Sequence, residues 1–227
     1  MHIQPAPNHS PAFPLDPVVK VVIFDFDGTI ADSFDAFLRI TNRLAREFGY
    51  EPASPEAIKR YQNLSSREIL KQSQIPLYKL PFLLRRLKTE LGQDITQLQP
   101  IPGIRTALQT LKTQGHSLGI VTSNTQSNVE AFLQHQHMEG LFDFLQSGVT
   151  LFGKGRIIQQ IIGNNQLDPA SVIYVGDETR DIEAAHKINI PVIAVGWGFN
   201  SVTALQEANP TCVVQTPDEL VEAIARL

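Results

Sequence analysis

Lys20-Val21-Val22-Ile23-Phe24-Asp25-Phe26-Asp27-Gly28-Thr29 is the stretch on which the reading of this chain turns. Val21 to Phe24 is an apolar, β-branched and aromatic run of the kind that fills a buried parallel strand. It stops at two carboxylates separated by one residue, and ligands of open α/β sheets sit where such strands end. Aspartates at i and i+2 face the same side while the extended geometry lasts. Two negative charges held that closely are tolerated best when a cation or a shared proton offsets them. The first expectation is therefore a metal-assisted site at the tip of the first strand, with Asp25 and Asp27 both as ligands.

Beyond Thr29 the apolar period changes from strand to helix. Phe34, Phe37, Leu38, Leu44, Ala45 and Phe48 recur at helical spacing and Gly49 follows as a stop. Leu80, Leu83, Leu84, Leu87 and Leu91 share a second helical face, and Pro52, Pro55, Pro76 and Pro81 mark boundaries or first turns. Residues 33–98 thus read as an all-helical insert, expected to sit over the end of the first strand.

After Pro100-Ile101-Pro102-Gly103 the chain alternates helix and strand. Strands are expected at Ser117 to Val121, Phe144 to Val149, Val172 to Val175, Val192 to Val195 and Cys212 to Val214, with a terminal helix from Asp218. The fold class is α/β: a Rossmann-like parallel sheet with helices on both faces, built from residues 18–32 and 99–227, plus an inserted all-α cap domain.

A length of 227 residues suits one large domain with an insertion. At 42% hydrophobic and 19% charged residues, with a mean hydropathy of -0.08, the composition is that of an ordinary globular chain. The net charge of -4 gives no reason to expect nucleic acid as a partner. No apolar run is long enough to span a bilayer. Residues 1–17 hold five prolines and no secretory pattern, so a disordered tail is expected and cytoplasmic residence follows by default. The single cysteine, Cys212, excludes an internal disulfide and a cysteine-built zinc site and reads as a buried thiol.

Three further clusters lie at or after expected strand ends and should meet Asp25 and Asp27 on one sheet edge. Thr122, Ser123 and Asn124 follow Val121, where hydroxyls and main-chain N–H groups suit phosphate oxygens. Lys154, in Phe152-Gly153-Lys154-Gly155, is expected in a flexible loop as a cation for an anion. Gly176-Asp177-Glu178-Thr179-Arg180-Asp181 adds two aspartates after Val175. Four carboxylates with a lysine and hydroxyls suggest a hard divalent ion such as Mg²⁺ shared with a phosphate.

In this order the four clusters resemble the motifs of the haloacid dehalogenase-like phosphohydrolase superfamily. The helical insert is similar to the small cap of its phosphoglycolate phosphatase-like branch. The resemblance implies a Mg²⁺-dependent phosphatase acting on a small phosphorylated metabolite through an aspartyl-phosphate. Asp25 would be the nucleophile and Asp27 the acid and base. It further implies that Mg²⁺ is held by Asp25, the carbonyl of Asp27, and Asp177, with Asp181 as a ligand through water or as an orienting group. Gly28, Thr29, Thr122, Ser123, Asn124 and Lys154 would surround the phosphoryl group. The second aspartate favours phosphate esters over carbon–halogen bonds as substrates.

Two other readings stand beside this one: a β-phosphoglucomutase-like sugar-phosphate mutase, and a non-catalytic binding protein on the same fold. The segment from Lys59 to Glu90 carries eight basic residues against two acidic ones, a basic patch in an acidic chain. From this, Arg67, near a helix start at Ser65-Ser66, is expected to meet an anionic substrate.

Overall fold

The computed structural model describes residues 19–73, 75–150 and 153–227, so the expected disordered tail over 1–17 lies outside the described residues. Val21–Phe24 is the first strand, β1. It lies between β2 (Ser117–Val121) and β4 (Val172–Gly176), with β3 (Phe144–Gln146) outside β2 and β5 (Val192–Val195) then β6 (Cys212–Val214) outside β4. All pairings are parallel.

Both sheet faces are covered, which is why the strands read as unbroken apolar runs. Val22 and Phe24 of β1 face a cluster with α5 (Ile104–Thr113), α6 (Gln126–His135) and α10 (Pro217–Arg226). Ile23 faces the opposite cluster with α7 (Lys154–Asn164), α8 (Thr179–His186) and α9 (Val202–Glu207). Each fully buried Val, Ile or Phe contributes about 1.5–3 kcal/mol relative to exposure.

From β1 the chain steps outward to β2 and β3, then returns across the sheet to β4 on the other side of β1. The strand order therefore reverses at β1, and the carboxyl ends of β1, β2 and β4 open onto one crevice. Asp25, Thr122 and Asp177 each stand one residue past the end of one of these strands.

Between β1 and β2 run α1 (Phe34–Phe48), α2 (Pro55–Tyr61), α3 (Ser66–Gln72) and α4 (Leu80–Asp94). As the sequence predicts, α1 stops at Gly49, whose left-handed φ of 78° lets its N–H bond to the Ala45 carbonyl. Helices α1 and α4 bury Ile40, Leu44, Leu83, Leu87 and Leu91 in the same cluster as one sheet face. Helices α2 and α3 have no fully buried residue. Asp32 N–H donates to the Gln99 carbonyl at 2.9 Å and Ile101 N–H to the Ile30 carbonyl at 2.9 Å, tying the outgoing chain to the returning chain beside the tip of β1.

Four expectations need correction. The third strand ends at Gln146 and not at Val149. Gly148 adopts φ 66°, and the N–H groups of Gly148 and Val149 turn to the carbonyls of Asn124 and Thr122. Lys154 is the first residue of α7, fully buried, and not part of a flexible loop. Cys212 is only half-buried, because β6 is an edge strand covered on one side. The last helix begins one residue early, at Pro217, with the Thr216 hydroxyl capping it.

Candidate active site

The tip of β1 is held by main-chain bonds before any side chain acts. Asp25 N–H continues the ladder to the Val175 carbonyl at 2.8 Å. The chain then turns sharply: Ala31 N–H donates to the Phe26 carbonyl and Gly28 N–H to the Ala31 carbonyl. Gly28 makes the turn possible with φ 74°, and a Cβ there would lie 2.3 Å from a carboxylate oxygen of Asp177.

The two aspartates of the first motif have different surroundings. Asp25 is 2% exposed; its Oδ1 accepts from Phe26 N–H at 2.7 Å and its Oδ2 contacts the Lys154 ammonium. The same ammonium reaches Asp181 Oδ1 at 2.6 Å. The carboxylates of Asp25, Asp177 and Asp181 come within 4.8 Å of one another, all buried. The side chain of Asp27 is outside this group. It lines the cavity beneath the helical insert, and Asn124 Nδ2 donates to its Oδ2 at 3.0 Å and Oδ1 at 3.3 Å. The pair of carboxylate ligands first expected from β1 is therefore not formed; Asp177 and Asp181 take the place of the Asp27 side chain.

Burial pushes the Asp25 carboxyl up to about 7 against the opposing pull of Lys154. Asp177 is raised well above the usual carboxylate range by burial and then by the charges of Glu178, Asp25 and Asp181. Burial also raises Asp27, opposed by the Asn124 amide. Desolvation works against the charge on Lys154, but Asp181 and Asp25 overcome it and hold its pKa above the ordinary lysine value. Three buried carboxylates around one ammonium make an oxygen donor set short of positive charge, and that fits a hard divalent cation.

The remaining expected residues divide into those that hold these carboxylates and those that line the cavity. Thr29, fully buried, donates its hydroxyl to Asp177 Oδ1 at 2.9 Å, while Phe199 N–H donates to Asp177 Oδ2 at 2.8 Å. Asp181 also accepts from Glu178 N–H at 3.2 Å, closing a capping box at the start of α8. Thr122, fully buried, accepts from Asn124 N–H at 3.0 Å, and its own hydroxyl hydrogen stays available to a ligand oxygen. Ser123 and Asn124 line the cavity.

That cavity, of about 590 Å³, runs from Asp27, Asn124 and Arg180 up to Leu70, Leu84 and Leu91. Arg67 is not part of its lining. Its guanidinium is exposed and 4.0 Å from Glu183 of α8. At the helix start before Arg67, the Ser65 N–H is already taken, because Glu68 folds back onto it at 2.8 Å in a capping box. The cation that the basic segment does present is Lys88 of α4, half-buried in the lining with Asp27. Burial lowers its pKa, opposed by the nearby Asp27 charge.

Arg180 and Lys88 carry the charges missed at the sequence level. Arg180 lies inside the fourth quoted cluster and pairs with Glu178, so its position was a usable signal. Lys88 is one of eight basic residues in its segment, and nothing in the helical period separates it from the others. Trp197 serves the turn and not the cavity wall: its Nε1–H donates to the Thr29 carbonyl at 3.2 Å. Its neighbour Phe199 meets Phe34 and Phe37 edge-on at centroid distances of 5.2 and 5.1 Å and lines the cavity.

The parallel sheet, the acid cluster and the inserted helices define a hydrolase of a known kind. The model of the haloacid dehalogenase-like hydrolase family matches residues 22–195, and this chain belongs to that family. Among curated proteins, the phosphoglycolate phosphatase of Synechococcus elongatus is 37% identical over 209 residues, covering 92% of this chain and 99% of its own. The phosphoglycolate phosphatase of Aquifex aeolicus is 23% identical over 207 residues, covering 90% and 96%. A haloacid dehalogenase-like family hydrolase from Streptococcus pneumoniae superposes with a TM-score of 0.75 at 22% identity over 91% of this chain and 98% of its own, a shared fold. No described helix is long and apolar enough to cross a membrane.

Proposed function

We propose that this hydrolase is a Mg²⁺-dependent phosphatase of 2-phosphoglycolate or a closely similar small phosphomonoester, acting through an aspartyl-phosphate on Asp25. The observation that carries the reading is the unequal setting of the two first-motif aspartates. Asp25 is buried among charges, and Asp27 faces the cavity under an amide. The relatives named phosphoglycolate phosphatase support the substrate class, and residues 33–98 serve as the cap.

In the first step an oxygen of Asp25 bonds to phosphorus as the ester P–O bond breaks. The leaving oxygen keeps that electron pair and takes the proton from the Asp27 carboxyl. In the second, Asp27 takes a proton from a water whose oxygen attacks phosphorus, and the P–O bond to Asp25 breaks to release phosphate. Thr122, the N–H group of Ser123, and Lys154 hold the phosphoryl oxygens, while the Asn124 N–H stays on the Thr122 hydroxyl oxygen. Gly28 lets the chain turn beneath them, and Thr29 fixes Asp177. Asp25, Asp177 and Asp181, with the Asp27 carbonyl, are the groups that would hold Mg²⁺. When bound, the ion offsets the negative charge that Asp25 and the phosphoryl group bring together.

The test is phosphate release with Mg²⁺ over a panel of phosphorylated metabolites. Phosphoglycolate should give the highest kcat/KM. A sugar phosphate returned as its isomer, without net phosphate release, would instead establish the mutase.

Two predictions follow from the charges. Lys88→Ala should raise KM for phosphoglycolate about 10- to 100-fold, the loss of one charge-assisted bond. Its kcat/KM for 4-nitrophenyl phosphate, which lacks a carboxylate, should stay within about twofold; Arg67→Ala should alter neither. If Lys88→Ala weakens both substrates alike, Lys88 is not the carboxylate site.

The second concerns the ion. Asp25 and Asp177 have raised pKa values, so between pH 4 and about 7 the folded, ion-free protein holds more protons than the unfolded chain and stability falls as pH rises. A cation that competes with those protons stabilises more at high pH. At about 100 times its Kd, Mg²⁺ should raise Tm by about 5–10 °C at pH 8 and much less at pH 5. An equal rise at both values would place the ion elsewhere.

A further inference from the structure

Asp27 must present its proton to the cavity and not to its neighbours, and the hydrogen bonds behind it show what decides this. Asn124 Nδ2 donates to both carboxylate oxygens of Asp27. The orientation of the Asn124 amide is set from its other end, where Oδ1 accepts from Thr125 N–H at 2.8 Å and from Asn128 Nδ2 at 2.8 Å. The second hydrogen of Asn128 Nδ2 goes to the Lys88 carbonyl in α4 at 3.0 Å. Both anchors are main-chain groups of fixed polarity, an N–H at Thr125 and a carbonyl at Lys88, so neither amide can flip without losing a buried bond. Asn124 and Asn128 are 2% and 8% exposed. Helix α4 makes room for the contact with a glycine: a Cβ on Gly92 would lie 2.5 Å from Asn128 Oδ1.

We propose that Asn128 is a positioning residue for the proton transfer of Asp27: by bridging the Lys88 carbonyl of α4 to the Asn124 amide, it keeps Asn124 a donor and so directs the carboxyl proton of Asp27 into the cavity. Asn124 donates to both oxygens of a carboxylate that lines the cavity, so it can act on Asp27 only as a donor and leaves the carboxyl proton to be given to the cavity. The seating of the insert helix α4 is thereby coupled to the geometry of proton transfer. This inference rests on the acid and base role given to Asp27 above.

The experiment measures kcat/KM with Mg²⁺ for phosphoglycolate, whose glycolate alkoxide is a poor leaving group, and for substituted phenyl phosphates of falling leaving-group pKa. A misplaced acid is felt most where the leaving oxygen needs the proton, whereas a general structural fault lowers all substrates alike. Asn128→Asp, nearly isosteric, sets an acceptor against the Asn124 and Lys88 oxygens. It should lower kcat/KM for phosphoglycolate about 10- to 100-fold, part of the full effect of a general acid, and change the best phenyl substrate by about threefold or less. Gly92→Ala keeps every amide and improves the helical propensity of α4, but pushes Asn128 aside. It should steepen the leaving-group dependence in the same direction, and it carries the test if Asn128→Asp does not fold. A uniform loss or no loss in both variants overturns the proposal. Asp27→Asn separates the two readings. If it is steep and the Asn128 and Gly92 variants are flat, only the positioning role fails. If Asp27→Asn is flat as well, the acid role of Asp27 fails and the positioning role with it.

Discussion

Asp25→Asn should abolish phosphate release, lowering kcat by at least about three orders of magnitude, as removal of a covalent nucleophile does. The substitution isolates chemistry from folding. Asparagine has the same shape, and its Oδ1 can still accept the 2.7 Å bond from Phe26 N–H that anchors the turn after β1. What disappears is a nucleophilic oxygen and one negative charge in a buried cluster. Burial holds the Asp25 carboxyl up at about 7, so its charge is unfavourable in the ion-free fold above that pH. Without Mg²⁺ at pH 8 the variant should thus melt no lower than the parent, while the gain in Tm on adding Mg²⁺ shrinks. Phosphate release near the parent rate in a variant with this thermal profile would refute the aspartyl-phosphate and favour a direct attack by water. Unchanged binding of a ligand by a chain that releases no phosphate even before substitution would favour the binding protein.

Lys154→Met is the second large effect, and it should appear in stability as well as in rate. Lys154 is 2% exposed and its ammonium contacts Asp25 and Asp181. Methionine retains most of the stem but leaves two buried carboxylates without their partner. Breaking a buried ion pair from one side costs about 3–5 kcal/mol. That cost shrinks as pH falls below about 7, where Asp25 takes up a proton. Urea unfolding should therefore show a large loss at pH 8, a smaller one at pH 5, and partial recovery at pH 8 with Mg²⁺. Phosphate release should fall about 10²- to 10³-fold even where the variant is folded, because one donor to the developing charge is gone. Equal stability losses at both pH values would mean that Lys154 acts by packing alone.

Much of the site could be read from the chain because parallel strands place chemistry at their ends. Asp25, Thr122 and Asp177 each follow an apolar run that ends abruptly, and strand pairing brings such ends together whatever the helices between them do. The motif order picks out Lys154 but says nothing of its surroundings. Gly153 and Gly155 on either side suggest a loose loop, and only the packing of α7 against α8 shows the lysine buried. In the insert less is legible. Its helices follow from periodicity and the stop at Gly49, but eight basic residues over 59–90 present no local difference that tells Lys88 from Arg67. Their side chains part company only once α4 lies across α6 while α3 rests against α8.

The sequence by itself determined the parallel α/β core, the helical insert after the first strand, and the four clusters that meet at the sheet edge. These depend on the period of apolar residues and on the chain order, which are local quantities. Only the tertiary structure decided how the two aspartates after β1 divide. The turn at Gly28 carries the Asp27 side chain away from Asp25, toward an amide and the cavity, and brings Asp177 against Thr29. Spacing along an extended strand predicts that both carboxylates share a face. The strand ends between them, and the direction of the second is set by contacts from the loop after β2 and from α6, about a hundred residues away in sequence.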